Sequence, residues 1–299
     1  MASSLHVLLT YRCPLRCTHC YVYGSPRAAG TFTAGQVSNL LAQAARLKSI
    51  RWIIFEGGEP FSVFPLLLRS IRQARNLGFD VGVITNGYFA RGEATAQNFL
   101  RPLQLLDVAA LLISDDKFHY RSESNSPARH AFHVAVSLGI PVYRICLQGS
   151  TNGANREQDP LSGNLTISPH LKIIGRAAET FVSDQVEKPW EAFTRCPLED
   201  LDQPERVYID AYGNVQVCQG ITIGNAWETS IHELLASLQH EHHPVWRLLI
   251  EGGPALLAEA YQIEHTRDYI DACHLCFMVR RRLVDQYPHL LAPRQVYGI

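Results

Sequence analysis

The chain has 299 residues, of which 46% are hydrophobic, and its formal net charge at pH 7 is −1. This composition supports a sizeable core and excludes an intrinsically disordered chain. The near-neutral charge excludes a general nucleic-acid or membrane-surface binder, and the length predicts one large domain or one domain with a small appendage.

The N-terminus carries no basic segment, and its apolar run at residues 7–9 is too short for a signal peptide or a membrane span. We therefore expect a cytoplasmic protein. Eight cysteines in a cytoplasmic chain are more often metal ligands or catalytic groups than disulfides.

The first half of the chain alternates short apolar runs with amphipathic helical patterns. The predicted strands cover residues 5–10, 51–56, 81–85, 109–114 and 142–147. The predicted helices cover residues 33–47, 65–74, 90–101 and 127–138. This alternation predicts an α/β fold with a parallel sheet, either open or closed into a barrel.

Each of these predicted strands ends in a polar or glycine-rich segment. The five segments are TYRC, EGGEP, TNGY, SDDKFH and LQG, at residues 10–13, 56–60, 85–88, 114–119 and 147–149. Because the chemistry of parallel barrels lies at the carboxyl ends of the strands, we expect these segments to converge on one site.

The pattern changes after about residue 190. Alternating residues 206–210 and 215–218 flank a turn at residues 211–214, which predicts a β-hairpin. Helical segments follow at residues 230–238 and about 254–261. We therefore predict two domains, residues 1–185 and residues 186–299.

Three cysteines follow the first predicted strand. Cys13, Cys17 and Cys20 have C-x3-C-x2-C spacing. Three thiolates can hold three irons of a 4Fe–4S cluster and leave the fourth iron open to a small chelating ligand. The alternatives are a zinc loop, to which His19 would supply a fourth ligand, or three unrelated core cysteines.

This loop, CPLRCTHCY at residues 13–21, resembles the radical S-adenosylmethionine (SAM) superfamily. The resemblance implies a partial (β/α)6 barrel over about residues 5–150. It also implies that the open iron binds SAM, and that an electron from a reductant such as ferredoxin or flavodoxin cleaves SAM. The resulting 5′-deoxyadenosyl radical would remove a hydrogen atom from the substrate.

The resemblance extends to the ends of the next three strands. It implies SAM contacts from the GGEP segment, where Glu59 and the backbone would accept hydrogen bonds from the SAM amino group. Asn86 and Ser114 would contact the ribose and the carboxylate. Arg129 either pairs with the SAM carboxylate or is a solvated helix residue. The residues of the GGEP segment are Gly57, Gly58, Glu59 and Pro60.

Four later cysteines, the last two in a CxxC pair, predict a complete thiolate site. They are Cys196, Cys218, Cys273 and Cys276. The spacing alone does not choose between zinc and an iron–sulfur cluster. Residues 207–220 and 223–235 resemble the hairpin and helix of SPASM and Twitch domains. Because full SPASM domains carry more cysteines, this resemblance implies a small α+β Twitch-type domain with one auxiliary 4Fe–4S cluster.

Other residues have two interpretations each. Cys146 is either a buried core thiol or a hydrogen donor to a substrate radical. Asp116 and His119 are candidates for a general base, since oxidation by hydrogen abstraction also requires proton removal. Arg280 and its two arginine neighbours are expected to form a solvated helix face.

Three functions are consistent with these residues. The first is modification of a peptide or protein side chain by a maturase. The second is radical oxidation or rearrangement of a small metabolite, and the third is a non-catalytic iron–sulfur or zinc scaffold. The predicted barrel begins by residue 5, which leaves no segment for a leader-binding domain and weighs against the first function.

Overall fold

The computed structural model describes residues 2–121, 125–147, 155–158, 165–168, 171–181, 187–236 and 240–299. The chain divides into two compact units. The sheet unit comprises His6–Cys17 and Gly24–Leu171, and the cysteine unit comprises Met1–Leu5, Thr18–Tyr23 and Lys172–Ile299. The predicted boundary at residues 185 and 186 lies outside the described residues.

The sheet unit is built on parallel strands. The strands are β1 (Ser4–Thr10), β2 (Trp52–Gly57), β3 (Asp80–Thr85), β4 (Ala110–Ser114), β5 (Val142–Ile145), β6 (Asn155–Gln158) and β7 (Leu165–Ser168). Their order is β1-β2-β3-β4-β5-β7-β6. The pairs from β2 through β5 to β7 are parallel, and β6 is antiparallel to β7. The predicted α/β fold with a parallel sheet is confirmed.

Four helices connect these strands. They are α1 (Ala34–Ala44), α2 (Phe64–Asn76), α3 (Glu93–Leu105) and α4 (Pro127–Ser137), with a 3-10 turn at Pro60–Val63. Thr33 and Gln36 form a capping box at the start of α1. Ser126 caps α4 by accepting a hydrogen bond from the Arg129 N–H group. Side-chain caps at these starts satisfy backbone donors that have no partner inside the helix.

The cysteine unit contains a group of three antiparallel strands, a separate pair of antiparallel strands, and helices. Its strands are β8 (Lys188–Pro189), β9 (Arg206–Asp210), β10 (Asn214–Cys218), β11 (Ile221–Asn225) and β12 (Asp268–Tyr269). Its helices are α5 (Ala177–Thr180), α6 (Ile231–Ala236), α7 (Trp246–Ala260) and α8 (Ala272–Leu283). Short 3-10 turns lie at Trp190–Ala192, His240–His242 and Arg294–Tyr297. None of the described helices is long and apolar enough to span a membrane.

The predicted β-hairpin is formed by β9 and β10. Asp210 is fully buried at its turn, where the carboxylate accepts hydrogen bonds from the N–H groups of Tyr212 (2.9 Å) and Asn214 (3.0 Å). The Asn214 side-chain amide donates a further bond of 2.9 Å. Because Cys218 ends β10, this turn fixes the strand that carries one of the predicted ligands.

Candidate active site and candidate metal centre

A pair of glycines after β2 lies against the start of the cysteine loop. A Cβ atom on Gly57 would lie 2.3 Å from the Thr10 carbonyl oxygen, and one on Gly58 would lie 2.4 Å from that of Tyr11. The Gly58 N–H group donates to the Thr10 carbonyl oxygen over 2.6 Å. Only glycine permits this backbone approach, so the pair holds the end of β2 beside the segment that leads to Cys13.

Glu59 joins the ends of β2 and β3. Its fully buried carboxylate accepts hydrogen bonds from the Thr85 hydroxyl (2.8 Å) and from the N–H groups of Asn86 (2.8 Å) and Phe61 (3.0 Å). Burial raises the pKa of Glu59 to about 7, although the hydrogen bonds oppose the shift. A carboxylate accepts about four hydrogen bonds, so one acceptor position remains beyond the three that these groups occupy.

Asn86 connects the end of β3 to Cys13. Its side-chain N–H group lies 3.4 Å from the Cys13 sulfur, which also accepts from the Leu15 N–H group over 3.4 Å. The Tyr120 hydroxyl donates to the Asn86 carbonyl oxygen over 2.8 Å. Donors directed at a sulfur atom favour its thiolate form, which is the form that binds iron.

The other two cysteines of the loop lie in different units. Cys17 belongs to the sheet unit and is partly exposed. Cys20 belongs to the cysteine unit, where its carbonyl oxygen accepts a hydrogen bond from the Arg176 N–H group over 3.1 Å. The joint three-cysteine site therefore stays a prediction.

A buried ion-pair cluster follows β4, which ends at the partly exposed Ser114. The Asp115 carboxylate is buried and pairs with the Nε atoms of Arg144 (3.0 Å) and Arg129 (3.4 Å). It also accepts a hydrogen bond from the Ser126 hydroxyl over 2.9 Å. The interpretation of Arg129 as a solvated residue is therefore wrong, because its largely buried side chain pairs with the Asp115 carboxylate.

The two candidate bases contact each other. The His119 Nδ1 atom lies 2.9 Å from a carboxylate oxygen of Asp116. The same oxygen accepts from the Phe118 N–H group over 3.0 Å, so Asp116 also caps the local turn. The structure thus presents the two residues as one pair, not as independent candidates.

Cys146 directly follows β5. Its thiol donates to the Asp115 carbonyl oxygen over 3.0 Å, and a guanidinium nitrogen of Arg144 lies 3.5 Å from the sulfur. Burial raises the pKa of Cys146 to about 11. The side chain is therefore held as a protonated thiol at neutral pH, which is the form that could donate a hydrogen atom.

The structure brings the four later cysteines together around one cavity. This cavity lies within the cysteine unit, and its lining includes Cys196, Cys218, Cys273 and Cys276. Cys218 ends β10, and Cys273 and Cys276 lie in the first two turns of α8. A helix N-terminus favours negative charge, so this position suits thiolate ligands.

The sulfur separations bear on which metal group fits. Among the described residues, no three of these four sulfur atoms lie within 4.8 Å of one another. A single zinc ion with 2.3 Å bonds would hold them about 3.8 Å apart. Burial raises the pKa of Cys218 and Cys273, and that of Cys276 to about 11. The donor set therefore fits a metal group that is held by four thiolates.

A break in α7 positions the segment before Cys196. Gly253 has a φ of 69°, and a Cβ atom there would lie 2.3 Å from the Arg195 nitrogen. The Ala255 N–H group donates to the Phe193 carbonyl oxygen over 3.1 Å. The sequence predicts a helix from about residue 254 and misses the preceding turns, although Gly252 and Gly253 mark the break.

The burial of Arg280 contradicts the prediction of a solvated helix face. This residue is 1% exposed and lines the cavity of the four cysteines, so the prediction is wrong for it. It lies one helical turn after Cys276, and this i, i+4 spacing could have placed it on the same face of α8. Arg281 keeps a partly exposed side chain and pairs with Glu179 over 3.1 Å.

Residues 7–148 match the family model described as the Radical SAM superfamily. They form a radical SAM domain. The match contains Cys13, Cys17, Cys20 and the glycine, Glu59 and Asn86 contacts described above. Such a domain indicates an enzyme and implies a 4Fe–4S cluster and SAM as cofactors, so these predictions are confirmed.

Two curated proteins are similar over part of the chain. The putative peptide biosynthesis protein YydG of Bacillus subtilis is 27% identical over 116 residues, which are 39% of this chain and 36% of that protein. The probable GTP 3′,8-cyclase of Methanocella arvoryzae is 34% identical over 150 residues, which are 48% of this chain and 46% of that protein. The chain thus spans less than half the length of either relative.

The fold is similar to that of Streptococcus suis SuiB. The SuiB structure bound to S-adenosylmethionine superposes with a TM-score of 0.56 and 12% identity, covering 87% of this chain and 74% of SuiB. The structure of SuiB bound to its precursor peptide SuiA gives a TM-score of 0.56, covering 91% of this chain and 76% of SuiB. At this identity the similarity supports the fold alone.

Proposed function

We propose that the protein is a radical SAM enzyme that modifies a peptide or protein side chain. When bound to Cys13, Cys17 and Cys20, the cluster would supply the electron that cleaves SAM to methionine and a 5′-deoxyadenosyl radical. That radical would remove a hydrogen atom from the substrate. The observation that carries this proposal is the junction at which Glu59 binds the Asn86 backbone and the Asn86 side chain meets the Cys13 sulfur.

Residues at the strand ends would hold SAM. The Glu59 carboxylate retains an acceptor position for the SAM ammonium group, and the carbonyl groups of the neighbouring glycines would accept further hydrogen bonds from it. Asn86 and Ser114 would contact the ribose and carboxylate. Arg129, which pairs with Asp115 after the end of β4, would contact the SAM carboxylate. The proposed SAM contacts are Gly57, Gly58, Glu59, Pro60, Asn86, Ser114 and Arg129.

Three further side chains would act on the substrate. The Asp116–His119 pair would accept the proton that leaves during an oxidation, and Cys146 would return a hydrogen atom in a reaction without net oxidation. In the second case the thiol S–H bond breaks and a C–H bond forms, leaving a sulfur radical that a reductant must quench. The protonated state of Cys146 suits this role.

The cysteine unit would hold one auxiliary 4Fe–4S cluster in a Twitch-type domain. Four thiols around one cavity, together with the resemblance of residues 207–220 and 223–235 to SPASM and Twitch domains, support this assignment over the zinc alternative. With all four irons ligated, the cluster would serve as a structural link or an electron conduit. Ferredoxin or flavodoxin would be the reductant in the cytoplasm.

A peptide substrate is supported by the similarity to YydG, which is named as a putative peptide biosynthesis protein. SuiB, whose structure is bound to the precursor peptide SuiA, is similar in fold. The similarity to a probable GTP 3′,8-cyclase supports the second candidate, radical rearrangement of a small metabolite. The radical SAM domain favours both enzymes over a non-catalytic scaffold.

SAM cleavage tests the class of reaction. The reconstituted protein, incubated with SAM and dithionite, should form 5′-deoxyadenosine, and the Cys13→Ala/Cys17→Ala/Cys20→Ala variant should form none. An intact cluster that yields no 5′-deoxyadenosine would show the proposal to be wrong. A short peptide encoded beside this gene should then change in mass on incubation, whereas an unchanged peptide would favour the small metabolite.

A further inference from the structure

The cavity of the four cysteines contains a buried cation, the guanidinium of Arg280. Arg280 is 1% exposed, and its guanidinium donates to the carbonyl oxygens of Gln219 (2.7 Å) and Cys276 (3.3 Å) and to the Tyr297 hydroxyl (3.0 Å). All three acceptors are neutral oxygens. Among the residues that the structure describes, no ion pair between Arg280 and an acidic side chain is formed within 4 Å.

The second cation of this cavity differs in this respect. Lys172 forms an ion pair of 2.6 Å with Glu199, and both side chains line the cavity. Its charge is therefore paired with a carboxylate, which Arg206 shares over 3.0 Å, whereas Arg280 has no such ion pair among the described residues. A buried charge without a counter-ion is strongly unfavourable, so the surroundings of Arg280 require an anion.

The cysteine sulfurs are the groups that can supply this anion. Cys276 lies one helical turn before Arg280, and Cys218 and Cys276 line the same cavity as Arg280. Neutral thiols would leave the guanidinium unpaired, whereas a thiolate-ligated cluster carries net negative charge. Arg280 therefore lies where its positive charge would offset the negative charge of a metal group bound by these sulfurs.

We infer that Arg280 is the built-in counter-charge of the auxiliary cluster and raises its reduction potential. Reduction adds one electron, and hence one negative charge, to the cluster, so a fixed guanidinium beside it stabilises the reduced form. Cluster potentials depend on net charge and on neighbouring donors. This inference rests on the auxiliary cluster proposed above, and it makes Arg280 a positioning residue, because it acts through the cluster.

A redox titration tests the inference in the full chain. The Cys13→Ala/Cys17→Ala/Cys20→Ala background removes the SAM cluster, so the signal in electron paramagnetic resonance comes from the auxiliary cluster alone. Arg280→Met and Arg280→Gln should shift its equilibrium at least tenfold toward the oxidised form, which is about 59 mV lower for one electron. Arg280→Lys should shift it less, and Arg281→Met should leave it unchanged. Equal potentials in all variants would overturn the inference.

Melting temperatures separate this role from a purely structural one. Arg280→Gln keeps a hydrogen-bond donor but loses the charge, so it should lower the melting temperature of the cluster-loaded protein more than that of the metal-free protein. Equal losses in both forms would show that Arg280 only holds the fold, and the inference would fail. If the Arg280→Met variant does not fold, the melting temperatures of Arg280→Gln still test the inference.

The two proposals can fail separately. If the three-cysteine variant binds no iron after reconstitution, the auxiliary cluster is wrong, and zinc binding to the same protein becomes the readout. A loss of zinc affinity of at least tenfold in Arg280→Gln, but not in Arg281→Met, would support Arg280 as the counter-charge of the thiolates. Unchanged zinc affinity would refute it.

Discussion

The state of single side chains decides much of the proposed chemistry, and Glu59 is the sharpest case. Its carboxylate is buried, and burial raises its pKa to about 7 from the ordinary value near 4.5. The folded protein therefore binds this proton more tightly than the unfolded chain does. The contribution of Glu59 to the stability of the folded protein is fully present below the pKa that this residue has in the unfolded chain. It is lost as the pH rises through about 7.

Glu59→Gln should remove this pH dependence. Between pH 4 and 8 the unfolding free energy of the metal-free parent should fall by about 3 kcal/mol relative to that of the Gln variant. Urea unfolding at several pH values measures the difference, and other carboxylates cancel because both proteins carry them. A constant difference across this range would mean that Glu59 ionises normally.

The hydrogen bond from Asn86 to the Cys13 sulfur gives a second prediction at this scale. Asn86→Asp keeps the shape but replaces a donor by a negative charge beside a thiolate. Like charges at this distance oppose each other, so we expect retention of the SAM-binding cluster to fall about tenfold, equivalent to about 1.4 kcal/mol. Iron analysis after gel filtration measures the retention, with Asn39→Asp on the exposed face of α1 as the control.

Sequence patterns located ligands better than they located the residues around them. Cysteine spacing alone predicted the group of four that the structure brings to one cavity. The same reasoning assigned Arg280 to solvent, because runs of arginine are usually exposed. Its burial depends on Gln219 and Tyr297, which lie 61 and 17 residues away along the chain. Contacts of this kind leave no local pattern.

At the scale of elements, the break in α7 gives the third prediction. Gly253→Ala would place a side chain at positive φ and bring its Cβ atom against the backbone before Cys196. We expect a loss of about 3 kcal/mol of unfolding free energy from strain and steric overlap. Auxiliary metal content should fall as well, because the segment that carries Cys196 must move.

Gly35→Ala is the matched control for this variant. Gly35 lies exposed in the first turn of α1, and nothing lies within 4 Å of its added Cβ atom. Alanine there should stabilise the protein by up to about 1 kcal/mol and leave the metal content unchanged. Equal effects of the two substitutions on metal content would contradict a positioning role for the α7 break.

The elements that the sequence predicted correctly are specified by residues that lie close together in the chain. The capping box at Thr33 and Gln36 starts α1, and the turn after Asp210 joins β9 to β10. α7 was predicted too short because Gly252 and Gly253 break its dihedral angles while the helix continues beyond them. The turn after the break is held by the Phe193 carbonyl oxygen, a contact that periodicity does not encode.

At the scale of the whole molecule, the parallel sheet followed from the alternation of strands and helices, but the grouping into units did not. Met1–Leu5 and Thr18–Tyr23 belong with Lys172–Ile299 in the cysteine unit. These segments lie far apart in sequence, and no composition change marks them. The backbone bond from the Ser3 N–H group to the Glu205 carbonyl oxygen, 2.8 Å long, shows how non-local such pairing is.

Two groups of cysteines with separate tasks lead to the last prediction. Replacing Cys13, Cys17 and Cys20 by alanine should abolish SAM cleavage but leave the auxiliary metal in place, because its four ligands lie within the cysteine unit. Replacing Cys196, Cys218, Cys273 and Cys276 should remove that metal and lower the melting temperature, since ligation ties together distant parts of the unit.

The second variant should still form 5′-deoxyadenosine when dithionite supplies the electron, because dithionite can reduce the SAM-binding cluster directly. It should nevertheless release no modified substrate if the auxiliary cluster takes part in the later electron transfer. The first variant should therefore keep the auxiliary metal and form no 5′-deoxyadenosine, and the second should lose that metal and still form 5′-deoxyadenosine. Loss of both metal groups in either folded variant would contradict two independent sites, and it would mean that one group of thiolates is needed to assemble the other.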